Sequence, residues 1–240
     1  MEEKMSIKFL VPFVLLGFGI LFTAIYVHEK LQKYDVKELL LKTTCSMLFM
    51  GVAISSATLH RTGLYSSLMI IGLLFGLLGD IWLDLKYVYP ADDTIYTYSG
   101  FTSFGIGHIF FITALIYRFG SFATPVYYII PAVGALLLGF GSVAMGPVMK
   151  LDYGKFKGIT RAYATLLGGF TLLAGSFALL FHFKYLALDM LFVGAVSFLL
   201  SDLVLSGTYF GSKERPIDIH LNYIFYYGGQ FLIALSLLFA

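Results

Sequence analysis

The sequence predicts an all-α polytopic membrane protein with eight transmembrane helices. Three observations carry this reading. Of 240 residues, 59% are hydrophobic and only 12% are charged, about half the share usual in a soluble domain. Mean hydropathy is +0.86. The apolar residues form continuous Leu-rich runs without strict alternation, so helices fit better than the strands of a closed barrel.

A spanning helix needs about 20 mostly apolar residues. Eight runs qualify, at roughly 7–27, 38–59, 64–86, 100–118, 125–146, 158–182, 186–208 and 219–239. They consume most of the chain, so residues 1–240 read as one integral membrane domain with no soluble domain. The first run follows MEEKMSIK without a small-residue cleavage pattern, so it reads as a retained helix. The longest connection reads as Tyr87–Ser99, about a dozen residues.

Charge excludes other classes. Sixteen basic against fourteen acidic residues give +2, too little for an electrostatic footprint on nucleic acid. Cys45 is the single cysteine, so neither an internal disulfide nor a cysteine zinc site is available. Lys and Arg divide ten against five between odd-numbered connections and the opposite side. Lys30, Lys33, Lys86, Lys155, Lys213 and Arg215 belong to the larger set, and Lys8, Arg61, Arg118 and Lys184 to the smaller. The positive-inside rule then puts the odd connections in the cytoplasm and both termini outside.

The chain also carries a candidate internal repeat. Gly72–Leu83 and Gly194–Leu205 share five of twelve residues at an offset of 122, including Asp80 over Asp202. The same offset sets Gly107 over Gly229 and His108 over Gln230. Two parallel four-helix repeats would explain this; chance likeness between Leu/Gly-rich helices is the alternative.

Polar residues within the spans point to function, because burying charge in hydrocarbon is costly. They are Lys42, Asp80, Asp84, His108, Arg161, Asp189, Asp202 and Gln230, with Tyr163 and Tyr226. Asp80 and Asp202 lie in the last thirds of descending helices. Lys42, His108, Tyr163, Tyr226 and Gln230 lie in the first halves of ascending ones. All therefore fall toward one membrane face, as around one polar cavity open to the cytoplasmic leaflet. Asp84, beside Lys86, reads as a solvated or paired end residue, Asp189 as a helix start, and Arg161 as a headgroup contact. Lys42 either snorkels or neutralises an aspartate. His28, His60, His182 and His220 sit at helix ends.

Two buried carboxylates in different surroundings can divide into acid and base. This suits hydrolysis that begins with protonation. No G-x-S-x-G, P-loop or H-E-x-x-H motif is present. With only His108 deep enough to join them, no metal is expected.

The runs GLLFGLLGDIWLDL, FTSFGIGHIFFITALIY, GAVSFLLSDLVLS and YYGGQFLIALSL resemble the lysoplasmalogenase, or YhhN-like, family of integral membrane proteins. Lys42 resembles that family's second-helix lysine, although Thr43 stands where a proline often follows. Tyr163, in RAYATLLGG, resembles its sixth-helix tyrosine. The similarity covers the second to eighth spans. The basic 148–161 stretch matches no motif of the family. The resemblance implies eight helices and hydrolysis of the vinyl-ether bond of lysoplasmalogens, giving a fatty aldehyde and glycerophosphoethanolamine or glycerophosphocholine. It implies Asp80 and Asp202 as the catalytic pair. Lys42, His108, Tyr163, Ser201, Tyr226 and Gln230 would contact substrate, with no cofactor. Partners would be the lysophospholipid substrate and membrane lipids, with no nucleic acid. A proton-coupled transporter or lipid flippase is the alternative use of such carboxylates, and a non-catalytic scaffold is the third reading.

Overall fold

The computed structural model describes residues 2–30, 36–59, 63–211 and 215–240, with side chains from Lys8 onward. The described residues contain helices and turns but no strand. The helices are α1 Glu2–Lys30, α2 Val36–Leu59, α3 Leu64–Val88, α4 Asp93–Phe119, α5 Val126–Ala144, the one-turn α6 Gly146–Met149, α7 Lys157–Leu180, α8 Leu186–Phe210 and α9 Pro216–Ser236. Eight of them, all but α6, are long and apolar enough to cross a membrane. The chain is thus a multi-pass membrane protein. His60, Lys33, Arg61 and Lys213 lie outside the described residues, as does the side chain of Lys4.

One connection differs from the sequence reading. Residues 87–99 are mostly helical: a 3-10 turn spans Pro90–Asp92 and α4 starts at Asp93. Tyr, Thr and Ser hid this extension from hydropathy. Asp93 in the first turn complements the helix dipole. Trp82 stacks on Tyr96 at 6.1 Å, holding the new turns against α3.

Six helices close a ring. α2 packs on α3, α3 on α4, α4 on α7, α7 on α8, α8 on α9, and α9 returns to α2. α1 lies outside against α2 and also reaches α9, while α5 lies outside against α7. Their outer faces carry exposed Leu, Ile, Val and Phe, such as Ile20, Leu21, Ile130 and Leu137, as expected of surfaces in lipid rather than water.

Lipid supplies no hydrophobic drive between helices, so close backbone approach must hold them. Two crossings show it. A Cβ on Gly107 of α4 would meet the Gly72 carbonyl oxygen of α3 at 2.8 Å. A Cβ on Gly229 of α9 would meet the Gly194 carbonyl oxygen of α8 at 2.7 Å. Both contacts are too short for any side chain, and both fall at the paired positions of the sequence comparison.

Gly107→Val and Gly229→Val should therefore destabilise the protein in detergent by about 1–3 kcal/mol or more. Gly17→Ala and Gly141→Ala, where a Cβ meets nothing within 4 Å, should leave thermal unfolding unchanged. Equal behaviour of the two sets would refute the close-crossing account.

Candidate active site

The site begins with helical spacing. Glu38, Lys42 and Ser46 recur every four residues on α2, and Asp80 and Asp84 do so on α3, so each set shares a face. The two helices run antiparallel, so the sets meet in reversed order. Ser46 Oγ donates to Asp80 Oδ2 at 2.5 Å. Lys42 Nζ donates to Asp84 Oδ1 at 3.0 Å and lies 3.4 Å from Asp80 Oδ1. Lys42 therefore does not snorkel: it is 6% exposed and bridges both carboxylates.

Asp84 takes the paired one of its two expected places. It is 3% exposed, not a solvated end residue. Tyr26 Oη donates to its Oδ2 at 3.4 Å, and Lys30 Nζ lies 3.8 Å from its Oδ1. Lys30 also lies 3.6 Å from Glu38 and covers the Tyr87 ring at 4.7 Å. The pairs at helix ends thus continue inward as one buried chain of alternating charge.

Helix α9 completes the Asp80 pocket. Tyr226 Oη donates to Asp80 Oδ2 at 2.7 Å, and Gln230 Nε2 donates to Tyr226 Oη at 3.2 Å. Tyr227 Oη donates to the Lys42 carbonyl at 3.3 Å. Asp80 is thereby held by a cation and two hydroxyls.

Asp202, on α8, has different company. The Tyr163 hydroxyl donates to its Oδ2, and Ser201 Oγ lies 3.4 Å from its Oδ1. It forms no ion pair among the described residues. Asn222 Nδ2 donates to the Ser201 carbonyl at 2.8 Å, tying α9 to this turn of α8.

Both aspartates line one cavity of about 380 Å³, together with Lys42, Tyr163, Asn222 and Tyr226. Phe104 packs between the two tyrosines, 6.4 Å from Tyr163 and 6.2 Å from Tyr226. From this polar head the cavity continues as an apolar arm between α5–α6 and α8, walled by Leu137, Met145, Met149 and Leu203. Leu137 and Leu203 are 70% and 52% exposed on the outside, so the arm adjoins the lipid-facing surface.

Three other candidates stand behind the cavity wall. Ser201 is fully buried and donates to the Phe198 carbonyl at 2.7 Å. Gln230 supports Tyr226. His108 is 1% exposed, packed against Phe198 at 5.2 Å and Tyr163 at 5.6 Å, and neither ring nitrogen has a hydrogen-bond partner. Arg161 lies over the Phe140 ring at 4.8 Å, on the outer face. Asp189 starts α8 away from the cavity. The sequence reading missed Glu38, Ser46, Tyr26, Lys30 and Asn222. Four-residue spacing could have found them: Tyr26 with Lys30, and Asn222 with Tyr226 and Gln230.

Fold and cavity together define a polytopic membrane protein with a buried polar site inside its helix ring. The chain belongs to the YhhN family, whose model matches residues 37–237. The match takes in every cavity-lining residue but begins after Tyr26 and Lys30, so the α1 support for Asp84 falls outside it. No curated protein and no solved structure matches the chain.

Lys42→Met should strand Asp80 and Asp84 without their shared cation. Breaking a buried pair this way costs about 3–5 kcal/mol, and Lys42→Met/Asp84→Asn should recover part of it. Thermal unfolding in detergent measures both, and an unchanged midpoint for the single variant would contradict the bridging role.

Proposed function

We propose that the protein is a membrane hydrolase that cleaves the vinyl-ether bond of lysoplasmalogens. The observation that carries the proposal is one cavity presenting two carboxylates with unequal partners. Asp80 faces a cation; Asp202 faces only uncharged donors. Unequal surroundings are what separate a base from an acid at one pH.

The cleavage then runs as follows. A vinyl ether is protonated at its β-carbon, which leaves an oxocarbenium ion. Asp202, without a cation, is the better placed to hold the proton and give it up. Asp80, set beside Lys42, Ser46 and Tyr226, faces the positive charge and takes a proton from the attacking water. Water oxygen bonds to the former vinyl-ether carbon, giving a hemiacetal. The hemiacetal collapses to a fatty aldehyde and the glycerophospho alcohol, and the water-derived proton restores the acid. Net, one water is consumed and no redox change occurs. Tyr163 orients Asp202, Gln230 orients Tyr226, and the apolar arm takes the alkenyl chain from lipid.

A transporter would favour broken helices around a midplane site. α3 and α8 run unbroken past their aspartates, which favours the hydrolase. We also read the cavity mouth as facing the cytoplasm. Lys30, Lys86, Lys150 and Lys155 of the more basic set lie at that end of the bundle.

Aldehyde release from a 1-alkenyl lysophospholipid in detergent tests the proposal. Asp80→Asn and Asp202→Asn should each lower the rate by about 10²–10⁴-fold, and Asp202→Asn, which breaks no ion pair among the described residues, should keep its unfolding midpoint. Tyr163→Phe removes one hydrogen bond to a carboxylate and should cost about tenfold in kcat. Full activity in both aspartate variants would overturn the assignment, and gradient-driven uptake without product would favour the transporter.

A further inference from the structure

The cavity head has no room in its charge for a phosphate. Lys42 is committed to Asp80 and Asp84, and Asp202 adds another carboxylate. The head is acidic on balance, and a phosphodiester placed there would meet like charge. The phosphate of a lysolipid must lie elsewhere.

A second cavity, of about 390 Å³, adjoins the first, and Tyr153, Tyr209 and Phe210 wall both. Its polar walls come from Lys86, Asp93, Asp152 and Lys155. Lys86 Nζ sits over the shared Tyr209 ring at 3.3 Å, at the boundary of the two spaces. Lys155 Nζ donates to Thr94 Oγ1. Neither lysine forms an ion pair among the described residues, so both keep donors for an anion. Asp152 spends one oxygen on the Gly154 amide at 2.9 Å, and Asp93 one on Thr97 at 3.3 Å. Each has a second oxygen left.

Distance fits as well. Lys86 follows Asp80 by six residues on one helix, about 9 Å along its axis. That is close to the span of a glycerol with its phosphate ester. Two cations beside two carboxylates, with aromatic faces from Tyr209, Phe210 and Phe156, match a phosphate joined to an ammonium group. A bare anion would meet the carboxylates uncompensated.

We propose that this vestibule is the headgroup subsite, binding the zwitterionic phosphoethanolamine or phosphocholine head of a single-chain lysolipid. Lys86 and Lys155 take the phosphate, and Asp93 and Asp152 with the aromatic rings take the ammonium. The proposal gives a role to Lys155 and the basic stretch around it. It rests on the hydrolase reading only for which bond then lies at the carboxylates.

Binding and turnover separate the two ideas. A saturated lysophosphatidylcholine, which has no vinyl ether, should bind the purified protein in detergent, and Lys86→Gln/Lys155→Gln should weaken it at least tenfold. In turnover the same variant should raise KM for 1-alkenyl lysophosphatidylcholine by a similar factor with kcat kept. It should leave 1-alkenylglycerol, which lacks the phosphate, unaffected. Asp93→Asn/Asp152→Asn should lower the preference for lysophosphatidylcholine over lysophosphatidic acid. Unchanged lysophosphatidylcholine binding in the lysine variant would overturn the subsite, as would an equal KM rise for both substrates. So would inorganic phosphate competing as well as the lysolipid, the mark of a mere anion patch. If no aldehyde is released by the unmodified protein while the lysine-dependent binding stands, the hydrolase reading fails and the subsite survives.

Discussion

The arrangement depends on one ammonium group placed between two carboxylates. In a membrane interior, an unpaired charge costs several kcal/mol, and water is not at hand to relieve it. Lys42 meets that constraint for Asp80 and Asp84 together. Its position then dictates much else. α2 and α3 must lie in antiparallel register, α9 must bring Tyr226 and Tyr227 to the same level, and α1 must cap Asp84 with Tyr26 and Lys30. The ring of helices closes around this cluster.

The same constraint makes the two cavity aspartates unlike one another. Asp80 accepts hydrogen bonds from Ser46 and Tyr226 beside the cation, so its geometry is fixed. Asp202 is held by Tyr163 and its own neighbour Ser201. A symmetric pair would titrate together and split a proton between them. Under the proposed function, the asymmetry designates which carboxylate holds it. Asp80 and Asp202, matched in the sequence comparison, are thus set in different surroundings without any change in the residue itself.

Much of this was legible in the sequence because lipid imposes simple rules. Span lengths follow from bilayer thickness, and all eight apolar runs correspond to helices. The depth sorting of polar residues anticipated their convergence: Lys42, Asp80, Tyr163, Asp202 and Tyr226 line one cavity. Hydropathy failed where polar and aromatic residues continue a helix, as at Asp93–Ser99. For Asp84 the sequence left a solvated and a paired place open, and the structure shows the paired one, with Lys42 and Lys30. Burial there comes with side chains of other helices, Tyr26 and Lys30 of α1 and Lys42 of α2, tertiary contacts that no local pattern in α3 encodes. His108 shows the opposite limit. Its depth was readable, but its aromatic surroundings, outside the cavity, were set by four other residues from α4, α7 and α8.

Polarity along the two adjoining cavities is ordered. The apolar arm beside α5 and α8 leads to the acidic head at Asp80 and Asp202, and the head leads to the mixed-charge vestibule at Lys86 and Lys155. A lysoplasmalogen has the same order along its length: hydrocarbon, vinyl ether, glycerol and zwitterionic head. Under the proposed function, matching these sequences would fix the register of the substrate without a specific contact at the reacting carbon. The chain cannot slide toward the vestibule without exposing hydrocarbon to charge, and the head cannot enter the arm without losing its counter-charges. Under the proposed function, placement of the vinyl ether beside the carboxylates is thus set by the two ends of the molecule, and the acid and base need only hold their own positions.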